Sequence, residues 1–191
     1  MDNQKIIEFF DEMSSVWDRN MVIDPENIGI IFDQAEVKEG KDVLDVACGT
    51  GVLFPFYEER HVASLTGIDI SPKMCEIVRT KGDHLVFTGD AATFEYPQKY
   101  DVILIYNAFP HIADPEGFIA HMSAFLKEGG VFSIAHGMSR EMLIKHHERV
   151  DSEVAAILPE MEELAAMMGR YLDVFAKTDN EKMFQICGRK K

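Results

Sequence analysis

The chain's apolar positions come in blocks whose spacing changes from helical to extended. Residues 4–13 and 24–36 read as two acidic helices, the second opening at Asp24-Pro25 with proline in its first turn. From residue 42, short apolar runs alternate with helix-length segments. "DVLDVA" (42–47) is a short strand, and Gly51 to Arg60 a helix. "SLTGIDI" (64–70) is a strand that stops at Ser71-Pro72, a cap followed by proline, and a helix over 72–81 leads to strand "HLVFTG" (84–89). "YDVILIY" (100–106) is apolar nearly throughout, as a strand buried on both faces must be. Asp114-Pro115-Glu116 opens a helix running to Lys127 and ended by Gly129-Gly130, and "VFSIAH" (131–136) is another buried strand.

The end of the chain breaks this rhythm. Two helices come in succession between 139 and 169. The second, "LPEMEELAAMMG", has Pro159 and acids in its first turn, and one apolar stripe of Met161, Leu164, Ala165 and Met168. "YLDVFA" (171–176), a turn at "KTDN" and "MFQICG" (183–188) form two strands joined closely enough to be antiparallel. Strands separated by helices imply an α/β three-layer sandwich with a mostly parallel, seven-stranded sheet. With no repeat and no low-complexity linker, 1–191 reads as one domain. It divides into a helical cap (1–40), a core (41–137) and a C-terminal part with the hairpin (138–191).

Charge narrows the partners. The net charge is −14, with 10 acids against 3 bases in residues 1–40, 13 against 7 in 41–136 and 10 against 9 in 137–191. No basic stripe is available to release counterions from a nucleic acid or to meet an anionic membrane. No secretory leader and no run of ~18 apolar residues is present. Cys48, Cys75 and Cys187 are odd in number and lack CxxC spacing, which argues against a disulfide framework or a zinc site and fits a reducing cytoplasm.

The chemistry begins at "VLDVACGTGVL" (43–53), where a glycine turn comes after an apolar strand. The phosphate loop GxxxxGK[ST] is absent. A dinucleotide fingerprint GxGxxG is a closer rival, but Phe54 stands where its third glycine belongs. Asp69 closes the second strand 20 positions after Gly49, where an acid accepts hydrogen bonds from ribose hydroxyls. Asp90 closes the third strand, where a carboxylate accepts from an adenine amino group. Asp45 beneath the turn suits an ammonium or sulfonium better than a pyrophosphate. Three acids and no base at one sheet edge describe a site for a positively charged nucleoside.

"VLDVACGTGVL", "GIDIS", "FTGDAATF", "YDVILIYNAFPHI" and "LKEGGVFSIAHG" resemble, in order and spacing, the motifs of class I S-adenosylmethionine-dependent methyltransferases, nearest to the small-molecule group that includes quinone-biosynthesis enzymes. The resemblance covers 42–137. It implies a Rossmann-like sheet of order 3-2-1-4-5-7-6 with strand 7 antiparallel, and S-adenosylmethionine as cofactor, with S-adenosylhomocysteine as product. By position it implies that Asp45, Ala47, Gly49, Thr50 and Gly51 line the methionine end. Asp69 and Ile70 would hold the ribose and one adenine face, Asp90 and Ala91 would read the adenine edge, and Asn107 would lie beside the sulfonium.

Methyl transfer requires in-line positioning and exclusion of water, and a base when the acceptor is a hydroxyl or acidic carbon. His111, in "YNAFPHIADP" after the fourth strand, is the leading base, with Tyr106 as a second catalytic candidate. Trp17, His136 and His146 are candidates for the acceptor pocket. Cys48 reads as structural, His121 as a helix-flank residue, and no metal set stands out among the histidines. The methionines of 161–168 either roof an apolar acceptor or pack as core. The expected activity is methyl transfer to a small-molecule acceptor, without nucleic acid or membrane span, and with homo-oligomerisation left open. The rivals are an NAD(P)-dependent oxidoreductase and a non-catalytic methyltransferase-fold protein that senses cofactor or serves as a partner subunit.

Overall fold

The structure, a computed structural model, describes residues 1–147 and 152–191; side chains are described except for residues 146 and 147. Seven strands run β1 (Asp42–Val46), β2 (Ser64–Asp69), β3 (Leu85–Thr88), β4 (Tyr100–Tyr106), β5 (Leu126–His136), β6 (Asp173–Asp179) and β7 (Phe184–Arg189). They form one sheet of order β3-β2-β1-β4-β5-β7-β6. All pairs are parallel except β5–β7 and β6–β7, which are antiparallel. The expected order and the reversed last strand are both present.

The helices are α1 (Asn3–Met13), α2 (Trp17–Asn20), α3 (Pro25–Gln34), α4 (Phe54–Glu59), α5 (Pro72–Arg79), α6 (Pro115–Ala124), α7 (Arg140–His147) and α8 (Met161–Met168). Three of them open identically, with a polar cap residue before proline. Asp24 accepts from the amides of Glu26 and Asn27, Ser71 from that of Met74, and Asp114 from that of Gly117. Each cap satisfies amides that the first helical turn leaves without a partner, and proline gives up an N–H that had none to lose.

Because side chains alternate across a strand, the central strands feed two cores. Leu44, Val46, Ile103 and Ile105 pack into one with Phe118, Phe132 and Leu164. Val43, Val102 and Leu104 pack into the other with Ile28, Ile31 and Tyr57. Asp45 lies between Leu44 and Val46 with only 2% of its surface exposed. α8 packs on α6, β6 and β7, with Leu164 and Met168 buried. The methionine stripe is core.

Boundaries shift where local chemistry overrides periodicity. The helix expected over 51–60 starts only at Phe54, because residues 50–53 are spent on the turn. α6 stops at Ala124, since β5 begins at Leu126 and absorbs Gly129 (φ +73°) and Gly130 at an irregularity in its pairing with β4. Gly130 lies against the Tyr100 and Asp101 carbonyls, where a Cβ would come within 3.1 Å. α8 begins at Met161 with Pro159 outside it. The last hairpin turns at 180–183, not at "KTDN", because the Asn180 side chain accepts from the amides of Lys182 and Met183 and so supplies the turn. Among the described residues no helix is long and apolar enough to cross a membrane.

Candidate functional site

The carboxyl ends of β1, β2, β3 and β4 converge on a cavity of about 240 Å³. At two neighbouring strand ends the backbone turns through the left-handed region, at Ala47 (φ +54°) and Asn107 (φ +54°). Asparagine tolerates that conformation, but alanine adopts it at a cost of about 1 kcal/mol. Tertiary bonds hold both turns. The Cys48 amide donates to the Ile68 carbonyl at 3.0 Å, and the Asn107 amide to the Ala135 carbonyl at 2.9 Å. The Asn107 side chain also accepts from the Gly137 amide at 2.9 Å. Strained turns at two strand ends on the rim of one cavity point to a binding site there.

Asp69 organises the centre. Its Oδ2 accepts from the Gly49 amide and its Oδ1 from the Ser71 amide, both at 2.8 Å. One carboxylate thus fixes the glycine turn to the start of α5. About half of its roughly four lone-pair positions remain for a ligand. Burial raises its pKa to about 6 against the lowering effect of those two amides. Asp45 has no such support: its Oδ2 is buried without a hydrogen-bond partner among the described residues. Burial, and secondarily the Asp69 charge, push its carboxyl well above the usual carboxylate range. A buried carboxylate left unmatched in a cavity wall fits a cationic ligand, whose charge and donors would offset the desolvation. Asp45→Asn is therefore expected to raise the melting temperature at pH 8 by about 2–4 °C, as ~1 kcal/mol does in a domain of this size. The gap should close only as pH falls below about 3.9, the value in the unfolded chain, where Asp45 becomes neutral in both states; no gap at pH 8 would show that Asp45 is not under strain.

Asp90, at the end of β3, accepts from the Ala92 amide with Oδ1 and from the Asn3 side chain with Oδ2, both at 2.9 Å. Among the described residues, no lysine or arginine lines the cavity. α4 opens with Pro55 in its first turn, which removes an amide from its amino end. A pyrophosphate would meet acids and a blunted helix there, so the dinucleotide reading finds no support.

Beyond β4, the 3-10 turn Phe109–His111 brings His111 to the cavity wall. Its Nδ1 lies 2.8 Å from the Val154 carbonyl, an acceptor only, so Nδ1 carries the proton and Nε2 is the basic nitrogen. Burial holds its pKa below the usual value. Phe10 meets the His111 ring edge-to-face at 5.0 Å and the Trp17 ring at 5.6 Å. Tyr106 and Trp17 also line the cavity.

Of the residues expected from the sequence, Asp45, Ala47, Gly49, Asp69, Ile70, Asp90, Ala91, Asn107, Tyr106, His111 and Trp17 come together on this cavity. Three are placed elsewhere. Thr50 is fully buried and its hydroxyl donates to Asp18. Gly51 (φ +78°) faces away from the cavity, and a Cβ on it would lie 2.5 Å from Val78 Cγ2. Its bareness serves helix packing, the role that a dinucleotide fold gives its third glycine. Gly51→Ala is expected to cost about 2–4 kcal/mol by combining overpacking with a left-handed backbone, read by denaturant unfolding; a loss below about 1 kcal/mol would mean α5 yields easily. His136 is fully buried against the Phe184 ring and does not line the cavity, because β5 carries it into the contact with β7. The His146 side chain lies outside the described residues. Sequence reasoning missed Asn3, Ile6, Phe10 and Met21 in the N-terminal segment and, beyond it, lining residues such as Met74 and Ile112. Asn3, Ile6 and Phe10 share one face of α1 at i, i+3 and i+7, a signal present in the chain but unattached to any motif. Among the described residues, no group of three His, Cys, Asp or Glu side chains is placed to hold a metal ion.

A Rossmann-like sheet with this strand order, a glycine turn clamped by a strand-end acid and a cavity walled by three acids define a nucleoside-binding domain of the methyltransferase type. Residues 44–134 match the family described as a methyltransferase domain. The ubiquinone biosynthesis O-methyltransferase of Proteus mirabilis is 32% identical over 118 residues, which are 56% of this chain and 46% of that protein. The enzyme of the same name from Vibrio atlanticus is 30% identical over 143 residues, 68% of this chain and 60% of that one. The crystal structure of magnesium protoporphyrin IX methyltransferase from Synechocystis PCC 6803 with bound S-adenosylhomocysteine superposes with a TM-score of 0.74 at 14% identity over 100% of both chains. Residues 44–134 thus carry a methyltransferase domain of the class I S-adenosylmethionine-dependent type, and the chain's matches span about half of the length of the first of these relatives and three fifths of the second.

Proposed function

We propose that the protein binds S-adenosylmethionine and transfers its methyl group to the hydroxyl of a small, uncharged acceptor. The observation that carries this is a cavity walled by the strand-end carboxylates of Asp45, Asp69 and Asp90, with no lysine or arginine among the described residues and with a neutral histidine at its far rim. When bound, the cofactor supplies a methyl group already activated on a sulfonium, with a neutral thioether as leaving group. Asp69 and Asp90 hold the nucleoside, while Asp45 offers negative charge to the cationic end. Tyr106, Phe10 and Trp17 exclude water and line up the acceptor. His111 Nε2 would take the proton of the acceptor hydroxyl, leaving the oxygen free to accept the methyl group.

An acceptor bearing a carboxylate or phosphate would meet acids without a counter-charge among the described residues, which disfavours anionic substrates. That the relatives in Proteus and Vibrio are named O-methyltransferases supports the hydroxyl as acceptor. The acidic surface favours neither nucleic acid nor anionic lipid, and three buried free cysteines suit the cytoplasm. The test is incubation of the purified protein with S-adenosylmethionine and a panel of phenols, catechols and amines, following S-adenosylhomocysteine by mass spectrometry. Acceptor-dependent product with a hydroxylated aromatic is expected. Failure of S-adenosylhomocysteine to bind in calorimetry, or its displacement by NAD, would overturn the assignment.

A further inference from the structure

Ile6 alone of α1 is buried, and residues 15–20 are all exposed or half-buried. Yet this N-terminal segment forms one wall of the cavity. Polar contacts, more than packing, hold it down. Asn3 donates to Asp90, Asp11 accepts from the Ser71 hydroxyl and the Lys73 amide, and Asp18 accepts from Thr50 and Lys81. Of these partners, Asp90, Ser71 and Thr50 sit at or directly beside strand ends that the cofactor reading uses. A segment with little buried apolar surface and several exposed polar latches opens at low cost.

It also has to open. The cavity holds about 240 Å³, below the ~300–1,000 Å³ of ordinary small-molecule sites. An adenosine joined to methionine, with an acceptor beside it, needs more room than the cavity offers while α1 is in place. The latch nearest the adenine end is informative: the Asn3 carboxamide N–H₂ donates to Asp90 Oδ2, and the other oxygen is already committed to the Ala92 amide. An adenine amino group is the same kind of donor, aimed at the same carboxylate.

We propose that Asn3 gates the nucleoside site: its side chain holds Asp90 and α1 over the cavity, and the adenine amino group takes its place at Asp90 when α1 lifts. This rests on the cofactor reading above. Asn3 is thereby a gating residue outside the matched 44–134 segment, and the hydrogen bond it loses is replaced in kind by the ligand. Entry then costs chiefly the opening of the cap.

The test is stopped-flow binding of S-adenosylhomocysteine to the full chain, read by the fluorescence of Trp17, the single tryptophan and a cavity residue. Asn3→Ala removes the competing donor, so association should accelerate about two- to tenfold, with affinity rising by a comparable factor. Asn3→Asp, which places a like charge against Asp90, should accelerate it at least as much. Unchanged rates in both variants would reduce Asn3 to a surface cap contact, and slower or weaker binding would make it a residue that positions Asp90; either overturns the gate. Calorimetry on the wild type separates the two layers. If the wild type fails to bind S-adenosylhomocysteine, the cofactor reading falls; if it binds and the variants do not accelerate, the gate alone falls.

Discussion

His111→Ala is expected to lower turnover by about 10²–10⁴-fold while leaving S-adenosylhomocysteine affinity within about twofold. The size comes from geometry. The Val154 carbonyl pins the proton on Nδ1, so Nε2 is basic without a tautomer shift, and burial keeps the ring neutral at pH 7. Because its folded pKa lies below that of the unfolded chain, the ring resists protonation. Stability from this group is present above about 6.5 and is lost as pH falls below it. With saturating cofactor, the acid limb of kcat should therefore lie below the pKa of free imidazole. Imidazole added to the alanine variant should restore part of the rate. Equal kcat in variant and wild type, with both folded at the assay temperature, would assign His111 to holding the 152–158 segment through Val154 and nothing more.

Much of this site was legible because its residues are tied to strand ends. Asp45, Asp69 and Asp90 close three parallel strands, and strands that alternate with helices bring their carboxyl ends to one edge. Spacing along the sequence therefore becomes proximity in space. The capped starts of α3, α5 and α6 were legible for a related reason: a polar residue before proline satisfies the first turn locally, without help from the rest of the fold.

The features that escaped detection depend on contacts between segments far apart in the chain. Gly51 and Gly49 look alike in the sequence, but Val78 on α5 decides that one serves packing while Asp69 clamps the other. His136 ends a strand just as Tyr106 does, yet the antiparallel β7 covers it with Phe184, and the pairing of β5 with β7 is not encoded near residue 136. The cap residues Asn3, Ile6 and Phe10 carry no motif, and only the docking of α1 against α5 turns them toward the cavity.

Asp69→Ala is expected to weaken S-adenosylhomocysteine binding by about 2–4 kcal/mol, a factor of roughly 30 to 900. Two losses combine. The ligand loses a charged acceptor for its ribose hydroxyls, and the Gly49 and Ser71 amides lose the carboxylate that clamps the glycine turn to α5. Asp69→Asn separates them, since its single carbonyl oxygen can keep one amide but offers no charge. The wild-type pH dependence supplies an independent check. Burial raises the folded pKa of Asp69 to about 6, so its contribution to stability is complete below about 3.8 and is lost as pH rises through 6. Ligand affinity runs the opposite way, because the ionised form accepts the hydroxyls: it should be full above pH 7 and fall by up to tenfold per unit below 6. The alanine variant should show a flatter profile across that window. A wild-type affinity that stays level from pH 7 to 5 would mean that the carboxylate only supports the loop and never meets the ribose.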